Sequence, residues 1–231
     1  MSILKVWDDT TKQYIEIPAI KGKDGKTPVK GVDYFTESDI AEIVFAVNAS
    51  RLPLMYTLYN YLQSDGSAYI DTGICPSDKT EIEATVNSSK SNFFAALYGD
   101  GKTNRYGIYF TTTKIDMAFG ATGYVGNVIT TLTPPDKVVF RNGTIATQNK
   151  TYTFTKQSAF TNTQTLPLFG SRSGSTVTAT GGILYECIIK ENGRTVRHFF
   201  PCKNPNGVAG LYDVVYGVFY ANAGSGSFSV G

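Results

Sequence analysis

Glu81 and Glu83 stand two apart in Thr80-Glu-Ile-Glu-Ala-Thr-Val86, a stretch that alternates polar and apolar residues. On a strand that spacing turns both carboxylates to one face. Two carboxylates ~5–9 Å apart are what glycoside hydrolysis uses, one as acid and the other as base or nucleophile. The plainer reading is the solvent side of a half-buried strand, with Ile82, Ala84 and Val86 turned to a core. His198 is the single histidine, so a Ser–His–Asp or Cys–His arrangement would have to use it. Its setting, Arg197-His-Phe-Phe-Pro201, suits a partly buried structural histidine better than a base. Cys75, Cys187 and Cys202 show no CxxC spacing, and with one histidine they do not make a zinc site. One pair could bridge, but the favoured expectation is free buried thiols in a protein assembled in the cytosol. The expectation is therefore no catalytic residue, no metal and no cofactor.

Binding chemistry is better represented. Fifteen tyrosines exceed what a core needs, because each buried phenol must find a hydrogen-bond partner. At a rim the same side chain is large, rigid and amphipathic. Sugars offer C–H faces to rings and hydroxyls to Asp, Asn and Arg. Two segments read as loops with that chemistry, Asp100-Gly-Lys-Thr-Asn-Arg-Tyr106 and Ser171-Arg-Ser-Gly174. Asp100, Asn104, Arg105, Tyr106 and Arg172 are thus the expected carbohydrate-binding residues, with ordinary loop polarity as the alternative. A formal net charge of +2 over 231 residues argues against a surface built to neutralise nucleic-acid phosphates. No apolar run is long enough to span a membrane, and no secretory segment follows Met1-Ser-Ile-Leu-Lys5.

The elements that must position these residues are mostly strands. Val6-Trp7 and Tyr14-Ile-Glu-Ile17 flank a polar turn and predict a small hairpin. Trp7 serves core packing or docking to a neighbouring chain. Residues 22–31 repeat glycine at a spacing of three, too briefly for a collagen helix, and read as a glycine-rich linker. Thr36-Glu-Ser-Asp39 fits a capping box, with Glu37 and Asp39 at the positive end of the helix dipole. Ile40, Ile43, Val44 and Val47 then fall on one helical face, and Asn48 and Pro53 end the helix. From Leu54 the pattern is β. Strands are predicted at 54–62, 80–86, 93–98, 106–110, 115–119, 138–140 and 151–155. A short edge strand is predicted at 166–169, because Pro167 cannot donate to a ladder. Asn142-Gly143 and Asn192-Gly193 mark tight hairpins, the second between long runs at 182–190 and 194–202. This density of short strands and turns predicts a two-sheet sandwich or jelly roll.

Several stretches carry a family likeness: Tyr69-Ile-Asp-Thr-Gly73, Glu191-Asn-Gly193, Phe200-Pro-Cys-Lys-Asn-Pro-Asn-Gly207, Gly210-Leu-Tyr-Asp213 and Phe219-Tyr-Ala-Asn-Ala-Gly224. With them the segment of roughly 54–231 resembles the concanavalin-like (laminin-G-type) jelly-roll domains of phage tail proteins and bacterial surface proteins. The segment from Gly22 to Ile40 resembles phage tail-fibre and baseplate proteins. The fold this implies is mainly β: a concanavalin-like jelly-roll sandwich over 54–231. An N-terminal attachment and oligomerisation module over 1–53 precedes it, made of β-hairpin, glycine-rich linker and short α-helix. The likeness extends to glucanases, whose pattern is Glu-x-Asp-x-x-Glu, but Val86 stands where the last acid belongs. Laminin-G-type domains sometimes hold calcium, for which Asp100, Asp116 or Asp213 could serve, although no dense Asp/Asn loop is present.

The function so implied is a virion receptor-binding protein of a phage tail or baseplate, made in the host cytoplasm. It would bind host cell-surface carbohydrate without cleaving it. A bacterial surface module for glycan or protein, and a purely structural virion decoration, are the alternatives. Ile40, Ile43, Val44 and Val47 are the expected oligomerisation residues, on a helix too short to stand alone. Residues 1–53 hold seven basic and eight acidic side chains, so repulsion does not oppose self-association. The resemblance implies a homotrimer with the helices on the axis, and other tail proteins as partners of the N-terminal module.

Overall fold

The computed structural model describes residues 5–8, 13–16, 36–87, 94–96, 104–110, 114–130 and 135–231. The chain forms two compact units, Met1–Asn48 and Ala49–Gly231. In the first, β1 (Lys5–Asp8) and β2 (Gln13–Glu16) pair antiparallel as the expected hairpin, with Val6 opposite Ile15. The linker over 22–31 lies outside the described residues. Helix α1 (Glu37–Ala49) starts at the expected capping box. The Thr36 hydroxyl accepts from the Asp39 N–H at 3.1 Å, and the Asp39 carboxylate accepts from the Thr36 N–H and hydroxyl, both at 2.6 Å. These bonds satisfy helix-end donors and lower the Asp39 pKa. Ile40, Ile43, Val44 and Val47 are each about half exposed.

The second unit is mainly β. Its first strands are β3 (Thr57–Leu58), β4 (Leu62–Asp65), β5 (Ile70–Asp71), β6 (Thr80–Asn87), β7 (Phe94–Ala96), β8 (Arg105–Phe110), β9 (Ile115–Gly120) and β10 (Thr122–Ile129). Then come β11 (Asp136–Arg141), β12 (Thr144–Ala146), β13 (Thr151–Thr153), β14 (Pro167–Leu168), β15 (Gly170–Ser173) and β16 (Thr176–Ala179). The C-terminal strands are β17 (Gly181–Glu191), β18 (Arg194–Lys203), β19 (Ala209–Asp213), β20 (Val218–Tyr220) and β21 (Phe228–Val230).

They form two sheets. The larger runs β13-β12-β11-β6-β17-β18-β19-β20, with β4 on β17, β21 on β4 and β3 on β18. The smaller runs β10-β9-β8-β7-β14-β5, with β15 on β7 and β16 on β15. All pairs are antiparallel except β15–β7. One core joins the sheets. The larger sheet supplies Leu62, Ile82, Phe140, Leu184, Ile189 and Phe199, and the smaller supplies Tyr106, Ile108, Met117 and Phe119. Strand β6 shows why: its burial alternates along all eight residues, as the sequence pattern requires. A second, small cluster of Leu52, Phe200, Cys202 and Tyr212 joins residue 52 to this unit.

The two Asn-Gly turns close hairpins as expected. Asn192 and Gly193 both take positive φ (51° and 77°), the primed geometry that matches strand twist. Other expectations need correction. Residues 54–62 are not one strand: Tyr56 N–H donates to Pro53 O at 2.9 Å in a turn, and Leu54 and Met55 are exposed. Strand β14 is not an edge, since it pairs with β5 and β7; its β7 ladder uses Leu168 alone, so the missing N–H of Pro167 is tolerated. Residues 171–173 are strand and not loop, because β15 is drawn into the sheet by its parallel ladder with β7; Gly174 alone of that segment lies in a turn. Strand β10 was not expected. All three cysteines are free, but Cys75 is exposed; only Cys187 and Cys202 are buried, and burial pushes both thiol pKa values up.

Candidate functional site

The residues expected to hold sugar do not converge. Asp100 lies outside the described residues. Asn104 gives its carbonyl to the Asn162 amide at 2.8 Å. Tyr106 is fully buried between the sheets, its ring 5.0 Å from Phe140 and 5.4 Å from Phe119. Its hydroxyl reaches the carbonyls of Thr80 and Phe140, each at 3.4 Å. A ring so enclosed has no face to offer a ligand, so Tyr106 is a core residue. Arg172 lies level with Ala96, which lies opposite Tyr106. It is spent on Asp71, whose carboxylate also accepts from the Thr165 hydroxyl at 3.0 Å.

Arg105 has different company. Alternation along β8 turns Tyr106, Ile108 and Phe110 inward, and therefore Arg105, Gly107 and Tyr109 outward. In the register of β8 with β9, Tyr109 faces Asp116 and Gly107 faces Ala118. Tyr109 packs with Ala118 apart from the main core. Strand β10 then adds Tyr124, 59% exposed, its ring 5.6 Å from that of Tyr109. The Tyr124 hydroxyl donates to Asp116 Oδ2, and the N–H of Asn127 donates to Oδ1. Asn127 takes φ 58° at an irregularity in the β10–β9 ladder, which aims that N–H. The bond to Asp116 pushes the Tyr124 pKa up to about 12. Arg105 lies along this face. A Cβ on Gly123 would come within 2.8 Å of Arg105 Nη1, which places the guanidinium over Gly123. The result is an outward face with an exposed phenol ring bonded to the buried Asp116 carboxylate, and a guanidinium further along the same face.

The outward face of the larger sheet is arranged differently. Glu81 and Glu83 do share a face, as their spacing predicts. The register sets Lys190 opposite Glu81, and its ammonium bonds both carboxylates, Glu81 at 3.4 Å. Lys137 lies 3.7 Å from Glu83 and Arg141 lies 3.8 Å from Glu81. The Lys190 bond is foremost in lowering the Glu83 pKa, which keeps it ionised and unfit as a proton donor at neutral pH. Further along, His198 Nε2 bonds Glu186 at 2.7 Å, and its ring stacks 4.4 Å from Phe200. That bond is the first cause of the lowered Glu186 pKa.

The stretches that carried the resemblance fasten the fold. Thr72 of the Tyr69-to-Gly73 run bonds Leu166 through both its N–H (3.1 Å) and its hydroxyl (2.7 Å). Its carbonyl accepts from Arg197 Nε at 3.3 Å. Arg197 lies 3.6 Å from the buried Asp213 carboxylate and 4.8 Å beneath the Tyr216 ring. Asp213 Oδ1 in turn accepts from the N–H groups of His198 and Val215, both at 3.0 Å. Of the carboxylates considered for calcium, Asp116 and Asp213 thus already accept protein hydrogen bonds. Among the described residues, no three His, Cys, Asp or Glu side chains gather as ligands of one ion.

Sequence reasoning found Arg105, and Asp116 only as a possible calcium ligand, but missed Tyr109 on the same strand and Tyr124, which joins the face only through cross-strand register. The alternation Arg105-x-Gly-x-Tyr109 was the available signal. No protein-family model and no curated protein matches the chain.

Proposed function

We propose that this chain is a receptor-binding protein of a phage tail or baseplate that holds a host cell-surface saccharide without cleaving it. The observation that supports binding is the outward face of β8, β9 and β10. There an exposed Tyr124 ring is fixed by Asp116, and Arg105 lies further along the same face, next to Gly123. A fixed ring loses little entropy on stacking a sugar, and a guanidinium on the same face can bond its hydroxyls. The virion assignment rests on the resemblance of the two segments. So does the finer fold assignment, a concanavalin-like jelly roll, which the two antiparallel sheets with one shared core favour. The exposed apolar face of α1 favours self-association into a trimer, which multiplies weak sugar contacts by avidity.

The test uses the labelled full chain on a panel of bacterial strains, with polysaccharide purified from each bound strain as competitor. Replacing Arg105 and Tyr124 together by Ala should weaken adsorption about tenfold while the circular dichroism spectrum holds. Unchanged adsorption would remove this face from the reading, and release of reducing sugar would overturn the non-enzymatic claim. Light scattering should give a trimer mass for the full chain and a monomer mass for Ile43→Asp with Val44→Asp. A monomeric unaltered chain at micromolar concentration refutes the trimer.

A further inference from the structure

A second place on the second unit has saccharide chemistry, and it lies on the other sheet. Strand β4 turns Leu62 and Ser64 inward, and so Tyr61, Gln63 and Asp65 outward. Its neighbour β17 sets Gly181 opposite Asp65, Gly182 opposite Ser64 and Ile183 opposite Gln63. On the far side of β17, Asn87 faces Ile183. Two successive glycines leave bare backbone where side chains would stand. The outcome is a recess of about 460 Å3 over that glycine floor, bordered by Gln63, Asp65, Asn87 and Ile183. That volume falls within the ~300–1,000 Å3 typical of small-ligand sites.

The next outward position along β4 is Tyr61. A register shift in β17 between Leu184 and Glu186 leaves Tyr185 and Glu186 together between the inward Leu184 and Cys187. Tyr185 so meets Tyr61, ring centroids 6.0 Å apart and edge to face. An aromatic shelf therefore adjoins the recess.

The charges of the recess narrow its ligand. The Asp65 carboxylate already accepts from the N–H groups of Ser67, Ala68 and Ser227 and from the Ser227 hydroxyl. It holds a turn and adds negative potential. No Lys or Arg is among the described residues that border the recess. The Gln63 and Asn87 side-chain amides are engaged by no partner among the described residues. Each amide offers a donor and an acceptor, the pair that a hydroxyl group answers. An anionic sugar meets the Asp65 carboxylate here and no cation among the described residues, and an apolar ligand would strip both amides of water without replacement.

We propose that this recess is a second saccharide subsite. It takes a neutral hexose or N-acetylhexosamine unit, with hydroxyls on Gln63 and Asn87 and a C–H face on the Tyr61–Tyr185 pair. The inference rests on the saccharide-binding reading above and adds to it a place and a class of sugar.

Titration calorimetry of the full chain with chitotriose, maltotriose and N-acetylneuraminic acid tests it. At least one of the two neutral probes should bind, and N-acetylneuraminic acid should show no binding that the Gln63 and Asn87 substitutions remove. Gln63→Ala with Asn87→Ala should weaken the neutral probe about tenfold. Gly181→Leu should abolish it, because a Cβ there clears Ser64 O by 3.5 Å and the side chain then fills the floor. If Gly181→Leu fails to fold, the Gln63 and Asn87 pair decides. Neutral binding that survives the amide substitutions overturns the subsite while the proposed function stands. Cell adsorption that persists while both neutral probes fail has the same meaning. Failure of both adsorption and probe binding overturns the proposed function and the subsite together.

Discussion

The outward faces of the two sheets use polar groups in opposite ways. On the larger sheet, Glu81, Glu83, Lys137, Arg141 and Lys190 satisfy one another. Their register does this: β6, β11 and β17 bring opposite charges level across neighbouring strands. On the smaller sheet, the carboxylate of Asp116 is spent on fixing a ring and a backbone turn, and the ring itself stays open. The difference teaches that a density of charge is a poor guide to a site. A lattice of paired ions is saturated, whereas one oriented phenol still has both an apolar face and a rim of polar neighbours.

This comparison depends first on which way each side chain points, so the largest expected effect tests that. Tyr106→Ala should cost about 3–5 kcal/mol, in the range of large-to-small core substitutions. Tyr124→Ala should cost within about 1 kcal/mol, as for other exposed positions. Equal losses in urea unfolding of the two variants would erase the distinction between inward and outward faces.

A smaller effect probes the ion lattice. Lys190→Met should destabilise by about 1 kcal/mol, since it leaves two carboxylates on one face without their shared cation. Adding Glu81→Gln and Glu83→Gln should recover most of that loss. Its pH dependence has a definite sign. The folded Glu83 pKa lies below its ordinary 4.5, chiefly through Lys190. Its contribution is therefore complete above that value and lost as pH falls through the folded one. Lys190 is raised above 10.5, chiefly by Glu83, and its contribution is lost only as pH rises through the higher folded value. Lys190→Met should flatten both ends of the stability profile. An acid limb identical to that of the unaltered chain would show that the pairing carries no weight.

The smallest effect is spectroscopic. Ultraviolet titration should find one tyrosine, removable by Tyr124→Phe, ionising near pH 12. In Asp116→Asn that transition should move down towards 10.0, the ordinary value. A Tyr124 transition unmoved by Asp116→Asn would mean that the ring is not held by the carboxylate.

Much of the fold was legible because its signals are local. The Thr36–Asp39 cap, the alternation of β6 and the Asn192-Gly193 turn each lie within a few residues. The outward face of β8 to β10 was half legible. Arg105 has binding chemistry in any setting, but its neighbours arrive by pairing with β9 and then β10. Strand β10 was hidden because Thr122-Gly-Tyr-Val-Gly-Asn-Val-Ile129 breaks its alternation twice, at the two ladder irregularities. Tyr106 was misplaced because a buried phenol needs acceptors, and those come from carbonyls 26 and 34 residues away. Arg172 read as a loop residue because the ladder that makes its segment a strand is parallel and non-local.

Strand β4 has one further consequence, a mechanical one. It is the first four-residue strand after the chain enters this unit, and it lies between β17 and β21 with antiparallel ladders on both sides. Tension applied along β4 from its N-terminal end would load both ladders in shear, so several hydrogen bonds must yield together rather than one after another. A sugar seated between β4 and β17 would pull on that same pair of strands. All of these ladders belong to the larger sheet, so a pull along this path would be borne there and not by the strands around Tyr124.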